Sequence, residues 1–130
     1  MVASMPVTWS IDHDKKFVTA VAHGTLTALD VRNYLHQVAA VGGMPYRKLF
    51  DTSVADSQLT LNDLQALGGS IREFALQGLG PIGPLAIVAP AGDSRMQAAW
   101  FADAAASPRP IRIFAQREEA ARWLAGFASA

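Results

Sequence analysis

The chain predicts a single α/β domain, with a mixed sheet of about five strands, opened by an N-terminal β-hairpin and covered by four helices in the order ββαβαβαβα. Three observations carry this reading. Pro84-Leu-Ala-Ile-Val-Ala-Pro90 is a short, wholly apolar run bounded by prolines, the pattern of a strand covered on both faces. Ile111-Arg-Ile-Phe114 is a second short run with a helical stretch before it. The closing segment Glu118-Glu-Ala-Ala-Arg-Trp-Leu124 is amphipathic at helical spacing. Helices that alternate with strands lie over a sheet.

Each element has its own local signal. Val7-Thr-Trp9-Ser-Ile11 alternates, runs into the polar stretch Asp12-His-Asp-Lys-Lys16, and alternation resumes in Phe17-Val-Thr-Ala-Val-Ala-His-Gly24, which predicts two antiparallel strands. Thr27-Ala-Leu-Asp30 has the form of a capping box, and Ala28, Val31, Leu35 and Val38 follow at helical spacing, so a helix is expected over about 27–41. Gly42-Gly43 ends it. Tyr46-Arg-Lys-Leu-Phe50 reads as the third strand, leading into a loop at Asp51-Thr-Ser-Val-Ala-Asp-Ser-Gln58. A second Thr-x-x-Asp signal at Thr60 to Asp63 opens a helix with Leu61, Leu64, Leu67, Ile71 and Phe74 on one face, ending near Gly78. Strand four at 84–89 turns through Ala91-Gly-Asp-Ser94 into a helix carrying Met96, Trp100 and Ala104. Ser107-Pro-Arg-Pro110 breaks that helix before strand five, and the last helix spans 117–127 with Glu118 and Glu119 at its electropositive start.

Composition limits the function classes. With 130 residues, 51% apolar and 17% charged, the chain fills one core and leaves a sparsely charged surface, which favours cover by a second subunit and points to a homodimer. Eleven basic residues balance eleven acidic ones without clustering, so nucleic acid is not an expected partner. The absence of cysteine removes disulfides, thiolate nucleophiles and cysteine zinc sites. No stretch approaches the roughly 20 apolar residues that span a bilayer, and Met1-Val-Ala-Ser-Met-Pro6 has no signal-peptide pattern. A cytoplasmic protein is expected, with no cofactor and no metal.

Candidate chemistry is sparse. Gly78-Leu-Gly80-Pro-Ile-Gly83 has dinucleotide-fingerprint spacing, but it follows a helix and precedes a strand, the reverse of what pyrophosphate binding needs, so it reads as a loop. Gly92, Asp93, Ser94 and Arg95 lie between a strand and a helix, where amides and the guanidinium could hold an anion, although Asp93 reads more simply as a helix cap. His13 falls in the hairpin turn, His23 at a strand end and His36 on the polar face of helix one, so no pair has ligand spacing. Asp12-His-Asp14 reads as a solvated turn. Asp51, Thr52 and Ser53 could join a distant histidine in a nucleophilic site, but a strand-end turn satisfied by Asp51 is the simpler reading. Trp100 continues the stripe from Met96, which turns Phe101 toward a neighbouring element, a ligand cavity or a subunit contact.

The element order, the step Ala22-His-Gly24-Thr-Leu-Thr27 into helix one, Leu49-Phe-Asp51, Leu85-Ala-Ile-Val-Ala-Pro90, and Phe114 leading into Glu119-Ala-Ala-Arg-Trp-Leu124 resemble the STAS domains of anti-sigma factor antagonists. Closer still is the resemblance to the SpoIIAA-like family of small bacterial proteins, grouped as STAS/SEC14-like, and it spans nearly the whole chain. It implies a STAS-like fold and a non-enzymatic switch that acts on a protein partner. In the wider group the serine of Asp-Ser-Ser-Gly at the start of helix two is phosphorylated. The matching stretch here is Asp56-Ser57-Gln58-Leu59, which keeps the first serine and lacks the second serine and the glycine. The function expected is a regulatory binding module with the stretch from Asp51 to Leu59 and the start of helix two as its recognition edge. The SEC14-like grouping implies an alternative, a carrier for a small apolar or lipid-like ligand near Met96, Trp100 and Phe101. Hydrolysis using Ser53 or Ser57 with a histidine is a more remote third reading.

Overall fold

The computed structural model describes residues 7–57, 59–76, 83–90, 95–96, 98–100 and 110–127, with the side chains at 56, 57 and 72–76 outside the description. The elements are β1 (Val7–Asp12), β2 (Phe17–Leu26), α1 (Ala28–Ala40), β3 (Arg47–Ser57), α2 (Leu61–Leu76), β4 (Leu85–Val88), helical residues at 95–96 and 98–100 (α3), β5 (Ile111–Phe114) and α4 (Arg117–Ala125). The strands form one mixed sheet in the order β1-β2-β3-β4-β5. Only β1 runs antiparallel to its neighbour, as a hairpin partner must, and the β2–β3, β3–β4 and β4–β5 pairs are parallel. The α/β class and the predicted element order are therefore observed.

The two faces of the sheet are closed unequally. Alternation along β4 sends Leu85 and Ile87 to one side and Ala86 and Val88 to the other, and all four are buried. On the first side they join the main core with Val18, Ala20 and Ala22 of β2, Val31, Tyr34 and Val38 of α1, Leu64, Leu67 and Ile71 of α2, and Ala98. On the second side Leu49, Ala86 and Val88 meet Ala120 and Leu124 of α4. Helix α4 covers β3, β4 and β5, which leaves the outer face of β1 and the end of β2 open, with Thr8, Ser10 and His23 exposed.

The helix starts follow the capping chemistry of the sequence. Thr27 and Asp30 form a complete capping box, and the Asp30 carboxylate accepts from the Thr27 amide at 2.9 Å. Thr60 and Asp63 reproduce it on α2, with both reciprocal bonds at 3.1 Å. Tyr34, unassigned in the apolar stripe of α1, is buried and packs edge-on between Trp9 and Phe50 at centroid distances of 6.3 and 5.3 Å. Leu61 departs from the predicted stripe of α2: it is the first residue of the helix and is 42% exposed.

Two corrections concern strand lengths. β3 does not end at Phe50, and the expected loop at 51–57 is strand. The partner strand β2 likewise continues past Gly24 to Leu26, so His23 lies inside a strand and not at its end. A bulge joins the two halves: Val21 pairs with Asp51 but His23 pairs with Val54, so β3 carries one residue more than β2 across the step. Beyond it Gly24, Thr25 and Leu26 pair with Ala55, Asp56 and Ser57. Gly24 has φ +56, a conformation a side chain would strain. Phe74, the end of α2 and Gly78-Leu-Gly80 as predicted lie outside the described side chains and residues.

Gly69 offers a test of this helix account. It sits within α2, and a Cβ built there meets nothing within 4 Å. Gly69→Ala should therefore raise the unfolding free energy by about 0.5–1 kcal/mol through helix propensity alone, read as a higher urea midpoint with an unchanged m-value.

Candidate functional site

β3 carries three ionisable side chains in five residues, and each is satisfied differently. Arg47 points to the α4 side. Its Nη1 donates to the Leu124 and Phe127 carbonyls, both at 3.2 Å, its Nη2 donates to the Lys15 carbonyl at 2.8 Å, and its guanidinium lies 5.5 Å from the Phe17 ring centroid. One cation thus occupies the electronegative end of α4 and ties it to the hairpin turn. Lys48, on the opposite face, is 2% exposed and donates its ammonium to the carbonyls of Met44 and Tyr46. A buried ammonium is tolerable only with such acceptors, so Lys48 fixes the connection between α1 and β3. Gly83 packs against the same connection, where a Cβ would overlap the carbonyls of Pro45 and Tyr46.

Asp51 is the third, 5% exposed at the bulge. Its Oδ1 accepts the Ser53 amide at 2.9 Å, and its Oδ2 stands 3.9 Å from Nη1 of Arg117, the first residue of α4. The reading of Asp51 as satisfying a local turn holds in its chemistry, but the turn is a bulge inside a strand. Thr52 Oγ1 donates to the Val88 carbonyl at 2.7 Å, closing the end of β4. Ser53 is exposed. Asp56 and Ser57 lie on the backbone of β3 opposite Thr25 and Leu26. The recognition edge expected as a loop is thus the end of a strand, followed by the α2 cap.

The histidines stay apart in the hydrogen bonds they make. His23 Nε2 bonds Thr8 Oγ1 at 3.0 Å, His13 Nδ1 bonds the Tyr46 hydroxyl at 2.8 Å, and His36 is exposed on α1. The hairpin turn therefore uses His13, while Asp12 accepts the Asp14 and Lys15 amides, both at 3.0 Å, as a solvated turn requires. Among the described residues no group of three His, Asp or Glu side chains is placed to hold a metal ion. No described helix is long and apolar enough to cross a membrane.

The remaining candidates are placed unevenly. Gly92, Asp93, Ser94 and Phe101 lie outside the described residues. Arg95 donates to the Ala89 carbonyl at 3.3 Å, where it closes the end of β4. Met96 and Trp100 do not share one buried stripe: Met96 is 47% exposed, and Trp100 is half-buried against the main core. Three exposed apolar side chains stand at or next to helix starts, Leu29 at 61%, Leu61 at 42% and Met96 at 47% exposure, and a fourth, Val54 at 60%, lies in the part of β3 beyond the bulge, paired with His23 on the face opposite Ala55. Sequence periodicity placed Leu61 on the apolar face of its helix, because a helical stripe does not reveal where the sheet beneath it stops.

A mixed five-stranded sheet with three helical elements on one face and one on the other is a SpoIIAA-like fold. The chain is similar over 95% of its length to the structure of an uncharacterized DUF3478-family protein with a SpoIIAA-like fold from Shewanella loihica PV-4, at 20% identity, 98% coverage of that chain and a TM-score of 0.56. No family model matches the chain, and no curated protein does.

The two oxygens of Asp51 give separable predictions. Asp51→Asn keeps an acceptor for the Ser53 amide and loses only the long contact to the half-exposed Arg117, so it should cost under about 1 kcal/mol. Asp51→Leu strands the part-buried Ser53 amide and should cost more, about 1–3 kcal/mol. Equal losses in urea unfolding would contradict this division.

Proposed function

We propose that this chain is a non-enzymatic binding module that acts through contact with a protein partner, and that its docking surface is the rim at the C-terminal ends of β2, β3 and β4. The rim carries Leu29, Leu61 and Met96 on the helices and Val54 on the opposite face of β3, four of the five large apolar side chains exposed among the described residues. Exposed apolar side chains gathered at one end of a sheet are the mark of an interaction surface. The SpoIIAA-like fold supports the reading by placing the end of β3 and the start of α2 on that rim. The partner's complementary surface is apolar, because Asp30 and Asp63 are engaged in their capping boxes.

Ser57 ends β3 three residues before the Thr60 cap. A phosphate at that position would add about two negative charges to an apolar docking surface and oppose association. This gives the module an off state.

The reading is checked by affinity purification from the native host, followed by mass spectrometry and a binding isotherm for the protein recovered. Val54→Asp and Leu61→Asp should each weaken that binding at least tenfold while leaving the far-ultraviolet circular dichroism and the urea midpoint unchanged. Binding unaffected by both substitutions would move the docking surface elsewhere.

A further inference from the structure

We propose that β1 is a self-association edge, at which a second copy of this chain adds its own β1 antiparallel and makes a continuous ten-stranded sheet. The inference is independent of the rim, which lies at the ends of the strands and not along an edge.

The two edges of the sheet are unlike. β5 is four residues long and carries Arg112 in its middle, so self-pairing would bring two guanidinium groups together. Brevity and a central charge are devices that block an edge. A proline directly precedes each of the two strands, and β1 has neither device. It is six residues, Val7-Thr-Trp-Ser-Ile-Asp12, with no proline, no lysine or arginine and no bulge in its register with β2, its only strand partner among the described residues.

The chemistry of β1 suits a copy of itself. Antiparallel pairing about a two-fold axis is self-complementary, so the same groups serve both chains. With Ser10 opposite Ser10 of the second copy, Trp9 faces Ile11 and Thr8 faces Asp12, so apolar meets apolar and a hydroxyl meets the single carboxylate. No like charges oppose one another. Trp9 and Ile11 are only half-buried at this edge. Beside them stands α1, whose Gln37 Oε1 accepts the Trp9 indole N–H at 2.8 Å. The turn after α1 also touches the edge, since a Cβ at Gly43 would lie 3.1 Å from Ile11 Cδ1. That turn carries Val41, 44% exposed and the one large exposed apolar side chain among the described residues that is not on the rim. A second copy along β1 would cover all three.

The chain has no cysteine, so a single introduced thiol reports the contact cleanly. Ser10 is exposed on the open face of the sheet, and replacing it leaves the core alone. In sedimentation equilibrium the unmodified chain should reach twice its 13.8 kDa mass. Ser10→Lys, which sets like charges opposite each other, should return it to the monomer mass with an unchanged far-ultraviolet circular dichroism spectrum, and should remove any dependence of the urea midpoint on protein concentration. Oxidised Ser10→Cys should form a covalent dimer, while Thr8→Cys, whose thiol faces Asp12 and not its own copy, should not. A monomer at every concentration, a dimer indifferent to Ser10→Lys, or equal cross-linking of the two cysteine variants would overturn the proposal.

Discussion

Arg47 and Asp51 stand four positions apart on the same face of β3 and hold the two ends of α4. Four strand residues span about 13 Å, and a nine-residue helix is about 13 Å long, so the pair matches the helix end to end. The polarity is also matched. Arg47 meets the carbonyls at the C-terminal end of α4, and Asp51 stands at the N-terminal end beside Arg117. A single strand thus sets the position and the direction of the helix that closes one side of the sheet, antiparallel to β3 as parallel α/β packing requires. Between the two anchors Leu49 meets Ala120 and Leu124, so the apolar contact lies where the charges flank it.

The rest of the molecule is arranged around that strand. Lys48, between the anchors in sequence and opposite them in space, ties down the segment that brings the chain from α1 into β3. The Thr52 hydroxyl closes the end of β4, and Arg47 reaches the hairpin turn through the Lys15 carbonyl. Past Asp51 the bulge lets β3 run on beside β2 after β4 has stopped. That projecting pair of strands, together with the helix starts that follow it, is what exposes Val54, Leu29 and Leu61. The proposed docking rim is therefore a consequence of unequal strand lengths, not of a separate loop.

Much of this was legible in the residues. The hairpin, both capping boxes, the doubly covered β4 and the closing helix all rest on local chemistry that acts within a few residues: alternation, a Thr-x-x-Asp pattern, and an apolar run between prolines. What was not legible depends on the partner strand. Asp51-Thr-Ser-Val-Ala-Asp-Ser57 is polar enough to read as a loop, and only its pairing with residues 21–26 makes it strand. The burial of Lys48 has no local signal, because its acceptors are backbone carbonyls that carry no sequence signature. Tyr34 lies outside the stripe of Ala28, Val31, Leu35 and Val38, and its ring is buried between Trp9 and Phe50, contacts that depend on the sheet and not on the helix. The candidate stretch reads as a loop and is strand.

The central claim is that residues 52–57 form a strand paired to the end of β2, so that the proposed recognition edge is a rigid strand end. Backbone carbon chemical shifts with amide hydrogen exchange test it most directly. The account predicts extended-chain shifts through Ser57, a break confined to the bulge at Thr52 and Ser53, and protection of amides on both strands beyond it. Coil shifts from Thr52 onward, with exchange as fast as in an unstructured peptide, would contradict it.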